Sequence, residues 1–86
     1  MYSVVLSDEA KRFYDGAEGW LQRKLDRCFD ILKVAPRDYP NIRPLKGTWT
    51  GHYRFRVGDY RVVYRIDDLG RIVVVAIIAH RSEVYE

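Results

Sequence analysis

Arginines dominate the part of the chain whose residue types could do chemistry. The segment HYRFRVGDYRVVYRI, residues 52–66, places four arginines among aromatic and branched apolar residues, and Asp59 is its only acid. Because the guanidinium fork binds phosphate oxygens with two parallel hydrogen bonds, such a cluster is typical of phosphate and nucleic-acid sites. Farther along, His80, Arg81 and Tyr85 add an imidazole, another cation and a phenol. The sequence therefore predicts a polyanion site with groups nearby that could move a proton.

The charge of the chain is concentrated in the same region. Of the net charge of +3, none comes from residues 1–42, which carry seven basic and seven acidic side chains. Residues 43–66 carry six basic and one acidic side chain, a local net charge of +5. A basic patch on an otherwise balanced protein indicates a polyanionic partner, most often nucleic acid. A charged face that serves only solubility is the alternative interpretation.

Length and composition exclude several classes of protein. A chain of 86 residues is expected to form one domain, residues 1–86, with a single modest core. No apolar run approaches the roughly 18 residues of a membrane span, and the N-terminus lacks the pattern of a signal peptide. Cys28 is alone, which excludes an internal disulfide and a cysteine-based metal site. We expect a cytoplasmic protein that contacts no membrane and needs no metal or cofactor.

The first half of the chain predicts a short strand and two helices. Residues 2–6 form the strand candidate, and Ser7 stands at the N-cap of a helix that reaches Tyr14. A second helix over residues 18–34 ends before Pro36. Its apolar positions recur at helical spacing on one stripe: Leu21, Leu25, Cys28, Leu32 and Ala35, widened by Trp20, Phe29 and Ile31.

The second half predicts a connector followed by three strands. Residues 36–51 contain all three prolines and form the connector, and the strand candidates are residues 53–57, 60–66 and 72–79. The order β-α-α-β-β-β predicts an α+β fold, a small and largely antiparallel sheet with a helical hairpin packed on one face.

Two-residue turn chemistry fixes the register of the first two of these strands. Gly58-Asp59 is a tight hairpin turn of type II′ character, which sets Arg56 opposite Arg61 and His52 opposite Arg65. Alternation then divides the side chains between an apolar face, with Tyr53, Phe55, Val57, Tyr60, Val62, Tyr64 and Ile66, and a basic face, with His52, Arg54, Arg56, Arg61, Val63 and Arg65. Like charges directly opposite each other are destabilising, so an anionic ligand is the simplest explanation of the basic face. An antiparallel third strand would deliver His80 and Arg81 beside it.

The stretches LKGTWTGHYRFRVGDYRVVYRIDD and IIAHRSEVY resemble the RelE/ParE toxin superfamily of bacterial and archaeal toxin–antitoxin systems. The resemblance covers essentially the whole chain. It implies one of two activities. RelE-like members are mRNA interferases that cut mRNA in the ribosomal A site without a metal, and ParE-like members poison DNA gyrase without breaking a bond themselves. A degenerate toxin that only binds its antitoxin is a third interpretation.

Position by position, the resemblance also assigns site residues. Its catalytic positions correspond to Arg54, Arg56, Arg61, Arg81 and Tyr85, and Lys46 stands where a loop contacts ribosomal RNA. Arg43, His52 and Arg65 are further candidates for binding RNA or the ribosome. Arg54 and Arg56 replace lysines of the best-known member. Because arginine stays protonated at neutral pH, proton transfer is left to His80 or Tyr85.

The resemblance further implies partners. We expect a cognate antitoxin, either RelB-like or another small acidic or amphipathic protein. The 30S A site of the ribosome and its mRNA would be the target, and the toxin–antitoxin complex would bind operator DNA.

Overall fold

The computed structural model describes residues 1–83, so the predicted site residue Tyr85 lies outside the described residues. The elements are β1 (Ser3–Leu6), α1 (Asp8–Gly16), α2 (Gly19–Val34), β2 (Ile42–Pro44), β3 (Tyr53–Val57), β4 (Tyr60–Asp67) and β5 (Ile72–His80), with short 3-10 turns at Gly47–Trp49 and Arg81–Glu83. The five strands form one sheet in the order β1-β5-β4-β3-β2. The predicted α+β architecture, with a helical hairpin beside a largely antiparallel sheet, is confirmed.

The first helix begins where the sequence predicts. The backbone N–H of Ala10 donates to Ser7 Oγ at 3.1 Å, and this hydroxyl donates in turn to the carbonyl of Ala76 at 2.7 Å. Asp8 and Glu9 place negative charge in the first turn, where it interacts favourably with the positive end of the helix dipole. One serine therefore caps α1 and ties it to β5.

The core lies between the hairpin and one face of the sheet. Leu21, Leu25, Cys28 and Leu32 of α2 are buried, as their spacing predicts. They join a cluster that contains Phe55, Val57, Val62, Tyr64, Val73, Val75 and Ile78. Burial raises the pKa of the Cys28 thiol, which keeps it neutral at physiological pH. Trp20 does not widen the buried stripe, because 47% of it is exposed and its ring lies under Lys24.

The pairing of the long strands follows the predicted register. β3 and β4 pair with Arg56 opposite Arg61 and Phe55 opposite Val62, and Gly58 supplies the positive φ of 57° that the turn requires. β5 runs antiparallel to β4, with a bulge between Val63 and Tyr64. β1 runs parallel to β5 at the edge of the sheet.

One strand, β2, was not predicted and lies inside the presumed connector. It pairs antiparallel with β3, with Arg43 opposite Arg54. Its three residues are too few to show alternation, and Pro44 reads as a strand breaker. Proline is tolerated here because β2 is an edge strand, where a missing N–H breaks no interior ladder.

A polar cluster closes the end of the sheet at the β4–β5 turn. Arg37, just after α2, donates two hydrogen bonds to the Asp68 carboxylate at 3.0 and 2.8 Å, and the Tyr2 hydroxyl donates a third at 2.8 Å. These donors hold the pKa of Asp68 below its ordinary range. Nearby, the buried Tyr64 hydroxyl donates to the carbonyl of Pro36 at 2.7 Å. Together these bonds fasten the end of α2 to β1, β4 and the turn.

Candidate functional site

The sheet face opposite the helices carries five arginines, here called the arginine face: Arg43, Arg54, Arg56, Arg61 and Arg65. Directly paired residues point to the same side of a sheet, and the register pairs Arg43 with Arg54 and Arg56 with Arg61. The neighbours in sequence of Arg56 and Arg61, among them Phe55 and Val62, lie in the core on the other side. The predicted grouping of Arg54, Arg56 and Arg61 on one face is confirmed, and β2 adds Arg43, which was not predicted to lie there.

Burial divides the arginine face into two kinds of side chain. Arg43, Arg56 and Arg65 are exposed, whereas Arg54 and Arg61 are each only 6% exposed. The basic face is therefore open to solvent at Arg43, Arg56 and Arg65 but not at Arg54 and Arg61. Strand alternation assigns a side chain to a face, whereas its burial depends on tertiary contacts that the sequence does not show.

The two buried guanidiniums are oriented by backbone carbonyls. Arg54 Nη1 donates to the carbonyl of Asn41 at 2.7 Å. Arg61 Nη1 donates to the carbonyls of Gly58 and Tyr60 at 3.2 and 3.1 Å. These bonds help to fix the direction of each fork. Two fixed cations in a partly desolvated setting attract an anion more strongly than mobile surface cations do.

Asn41 holds the edge of the arginine face together. Its carbonyl accepts the backbone N–H of Arg56 at 3.0 Å as well as the Arg54 guanidinium, and its side-chain amide donates to the carbonyl of Arg56 at 2.7 Å. The segment that leads into β2 thus positions two of the predicted catalytic arginines. Sequence analysis missed this role because it assigned the segment to the connector.

Arg81 reaches the same end of the sheet from β5. Its backbone N–H donates to the carbonyl of Asp59 at 2.8 Å, and its guanidinium lies 3.9 Å from the Asp59 carboxylate. Both side chains are more than half exposed, so this ion pair is weak. The prediction that β5 ends beside the Gly58-Asp59 turn is confirmed, and an incoming phosphate could displace Asp59 from Arg81.

His80 does not join the arginines. It pairs with Tyr60, which places its side chain on the helix-covered side of the sheet. The two rings meet edge to face with centroids 5.5 Å apart, and Tyr60 in turn contacts Phe13 of α1. The Nδ1 atom accepts the backbone N–H of Ser82 at 3.3 Å. The predicted convergence of His80 with Arg56 and Arg61 is wrong, because the strand alternation turns the imidazole to the other face.

The remaining candidates lie at the opposite end of β3. Lys46 is exposed and precedes the Gly47–Trp49 turn. His52 stands just before β3, and the β3–β4 ladder ends at Tyr53 opposite Tyr64, so the predicted pairing of His52 with Arg65 is not part of the ladder. The His52 ring instead contacts the Trp49 ring at 5.1 Å. Arg65 is exposed and pairs with Val74.

The structure also places two cations of α2, which the sequence did not assign to any site, in a groove beside the arginine face. Lys24 and Arg27 line a groove together with Arg56. Their spacing of three residues indicates that Lys24 and Arg27 lie on one side of the helix. The net charge of this segment did not reveal a basic patch, because the acids Asp26 and Asp30 offset the two cations.

Among residues 1–83, no three or more His, Cys, Asp or Glu side chains are grouped closely enough to hold a metal ion. The helices there also lack the length and apolar character needed to traverse a bilayer.

The sequence matches one family model over nearly its whole length. The model for "ParE toxin of type II toxin-antitoxin system, parDE" covers residues 4–85. Among characterised proteins, Toxin RelG of Mycobacterium tuberculosis is 40% identical over 43 residues, which span 50% of this chain and 49% of RelG. The chain therefore matches about half the length of this relative.

Solved structures show the same fold. The RelBE2 toxin–antitoxin complex of Mycobacterium tuberculosis contains a chain that is 27% identical, with a TM-score of 0.81 over 93% of this chain and 98% of that one. The archaeal RelE–RelB complex of Pyrococcus horikoshii contains a chain that is 25% identical, with a TM-score of 0.78 over 96% and 98% of the two chains.

Proposed function

Because this chain belongs to the RelE/ParE toxin superfamily of type II toxin–antitoxin systems, we propose that it is a toxin that cleaves mRNA in the ribosomal A site and so inhibits translation. The observation that carries this proposal is the arginine face, where Arg54 and Arg61 are buried and oriented by backbone carbonyls. A surface that only attracts nucleic acid does not need buried, fixed guanidiniums, whereas a site that stabilises a reacting phosphate does.

The reaction would use the 2′-hydroxyl of the RNA as nucleophile. A base removes the 2′ proton, the 2′ oxygen bonds to phosphorus, and the bond to the 5′ oxygen breaks as that oxygen takes a proton. Arg54, Arg61 and Arg81 would stabilise the negative charge that develops on the phosphorane oxygens. Arg56, with Arg43, Lys46, His52 and Arg65, would hold the RNA and ribosome.

Proton transfer in this proposal belongs to Tyr85. His80 faces the helices beside Tyr60, which removes it from the arginine face. The arginines themselves stay protonated at neutral pH and make poor bases. A tyrosine, whose ordinary pKa is about 10, becomes a competent base where neighbouring cations lower that value.

The second candidate function is that of a ParE-like gyrase poison, and the match to the ParE family model favours it. Such a protein binds its target and breaks no bond. It would need the basic surface of Arg56, Arg81 and Arg43 and would not need Tyr85.

We further propose an antitoxin as partner, since the similar solved chains come from toxin–antitoxin complexes. Binding of the ribosome by the toxin, and of operator DNA by the toxin–antitoxin complex, completes the proposal.

The test compares the two targets directly. The protein is induced in growing cells, and primer extension maps the 5′ ends of a translated mRNA and of the same mRNA with its start codon removed. We expect cuts within codons of the translated mRNA only. Intact mRNA, together with loss of supercoiling by purified gyrase, would replace the first proposal by the second.

A further inference from the structure

A groove of about 230 Å³ lies between α2 and β3 and borders the arginine face at Arg56. Its floor is apolar and is formed by Cys28, Ile31, Phe55 and Val57. It is smaller than the roughly 300 Å³ at which small-molecule pockets usually begin. The size suits one bulky side chain of a peptide better than a free ligand.

The rim of this groove is basic. Lys24, Arg27 and Arg56 line it, and no aspartate or glutamate does. Within residues 1–83, the ion pairs formed by acidic side chains involve other cations and leave Arg27 and Arg56 without a carboxylate partner. Both side chains are exposed. An apolar floor inside a rim of unmatched positive charge is complementary to an apolar residue flanked by acids.

The walls of the groove are held in place by contacts within the toxin. Tyr39 stacks on Phe55 with centroids 5.7 Å apart, and the Asn41 amide donates to the carbonyl of Arg56 at 2.7 Å. A preformed groove lowers the entropic cost of binding, because its own side chains need little further ordering.

We infer that this groove binds an acidic segment of the antitoxin, which inserts one bulky apolar side chain onto Phe55 and Val57 while its carboxylates pair with Lys24, Arg27 and Arg56. This inference rests on the proposed toxin function. RNA fits the groove less well, since its phosphates would match the rim but its sugars and charged backbone would not fill the apolar floor.

Because of the position of Arg56, an antitoxin segment in the groove would also affect the arginine face. Arg56 lines the groove and also lies opposite Arg61 on the arginine face. A carboxylate that engages Arg56 from the groove would remove one cation from the RNA surface. The antitoxin could thus weaken RNA binding without covering Arg54 or Arg61.

The test uses the toxin purified with the antitoxin encoded beside it, and compares two charge reversals on α2. Arg27→Glu alters the rim of the groove, and Arg23→Glu is the matched control because Arg23 is exposed on the same helix and does not line the groove. We expect Arg27→Glu to weaken the toxin–antitoxin complex by about 10- to 100-fold, less than the loss of a fully buried charge partner causes, because Arg27 is exposed in the free toxin. The dependence of the dissociation constant on salt should also become shallower. Arg23→Glu should change affinity no more than threefold, and both variants should inhibit translation as the parent does.

A second measurement locates the segment. A photo-crosslinking amino acid at position 39, beside the groove, should capture an acidic antitoxin peptide, and the same group at the exposed Leu69 position should not. Equal affinities for the Arg27→Glu and Arg23→Glu variants, or crosslinks from position 39 to ribosomal RNA instead, would overturn this inference and leave the toxin proposal intact. If the neighbouring protein forms no complex with the toxin, the proposed partnership fails and this inference fails with it.

Discussion

The two ends of the sheet differ in what their arginines contact. At the β4–β5 turn, Arg37 meets Asp68 through two hydrogen bonds of 3.0 and 2.8 Å, and Tyr2 and Tyr53 complete the cluster. At the β3–β4 turn, Arg56 stands opposite Arg61, and the Asp59 carboxylate lies 3.9 Å from the Arg81 guanidinium.

This difference separates a structural role from a binding role. A matched arginine at one end fastens the chain, because its charge is satisfied within the fold. At the other end, the exposed guanidiniums of Arg56 and Arg81 are accessible to an anionic ligand. We expect substitutions at the Arg37 end to change stability alone and substitutions at the Arg61 end to change activity.

The largest expected effect is on catalysis at the β3–β4 end. Arg61→Ala should slow single-turnover mRNA cleavage on programmed ribosomes by about 10²- to 10³-fold, as removal of one preorganised donor does in other enzymes. Arg61→Lys should recover only part of this rate, because a point charge cannot reproduce the fork. Lys11→Ala, on the exposed side of α1, is the control, and thermal melting shows whether each variant is folded. Full activity in a folded Arg61→Ala protein would remove Arg61 from the site.

Proton transfer should distinguish Tyr85 from His80. Tyr85→Phe should lower the cleavage rate by about 10²-fold, the lower range for loss of a general base, while ribosome affinity stays unchanged. His80→Gln should stay within about twofold of the parent, since an imidazole on the helix-covered face touches no reacting atom and contributes no transition-state stabilisation. The opposite ranking of the two variants would return proton transfer to His80.

The next effect concerns stability at the Arg37 end. Tyr64→Phe removes the buried hydroxyl that donates to the carbonyl of Pro36, so the free energy of unfolding should fall by about 1 to 2 kcal/mol. Urea denaturation measures this change. Tyr39→Phe, at an exposed position, is the control and should shift the free energy by less than about 0.5 kcal/mol. Tyr64→Phe should not change the rate of mRNA cleavage. If the variant is folded under the assay conditions and still loses activity, the Arg37 end of the sheet affects the site at the β3–β4 end.

The smallest expected effect is a change in acid stability. The pKa of Asp68 is lowered in the folded protein from its ordinary 3.8, first by its hydrogen bonds from Arg37 and then by that from Tyr2. A lowered folded-state pKa means that the stabilisation is present above pH 3.8 and is lost as pH falls through the folded-state value. Asp68→Asn should therefore flatten the decline of stability below about pH 4. Asp15→Asn, 3.8 Å from Lys11 on the helix surface, should leave the parent slope unchanged.

Much of the fold follows from local pattern alone. The spacing of Leu21, Leu25 and Leu32 predicts the buried side of α2 wherever the helix packs in the fold, because the helical period determines which residues share a face. The period of two and the Gly58-Asp59 turn likewise fix the register of β3 and β4, since a slip of one residue would turn Phe55 away from the helices and turn its arginine neighbours toward them. The family resemblance then supplied the candidate residues.

Only the tertiary structure decided the features that depend on partners distant in sequence. β2 is extended because β3 pairs with it, and its three residues carry no pattern of their own. Arg54 and Arg61 are each only 6% exposed in the folded chain, which neither composition nor strand alternation reveals. Residues 72–79 are apolar at every position, so they lack the alternation from which the face of His80 could be derived. That face was set by the pairing of His80 with Tyr60, and the cationic groove by the packing of α2 against β3.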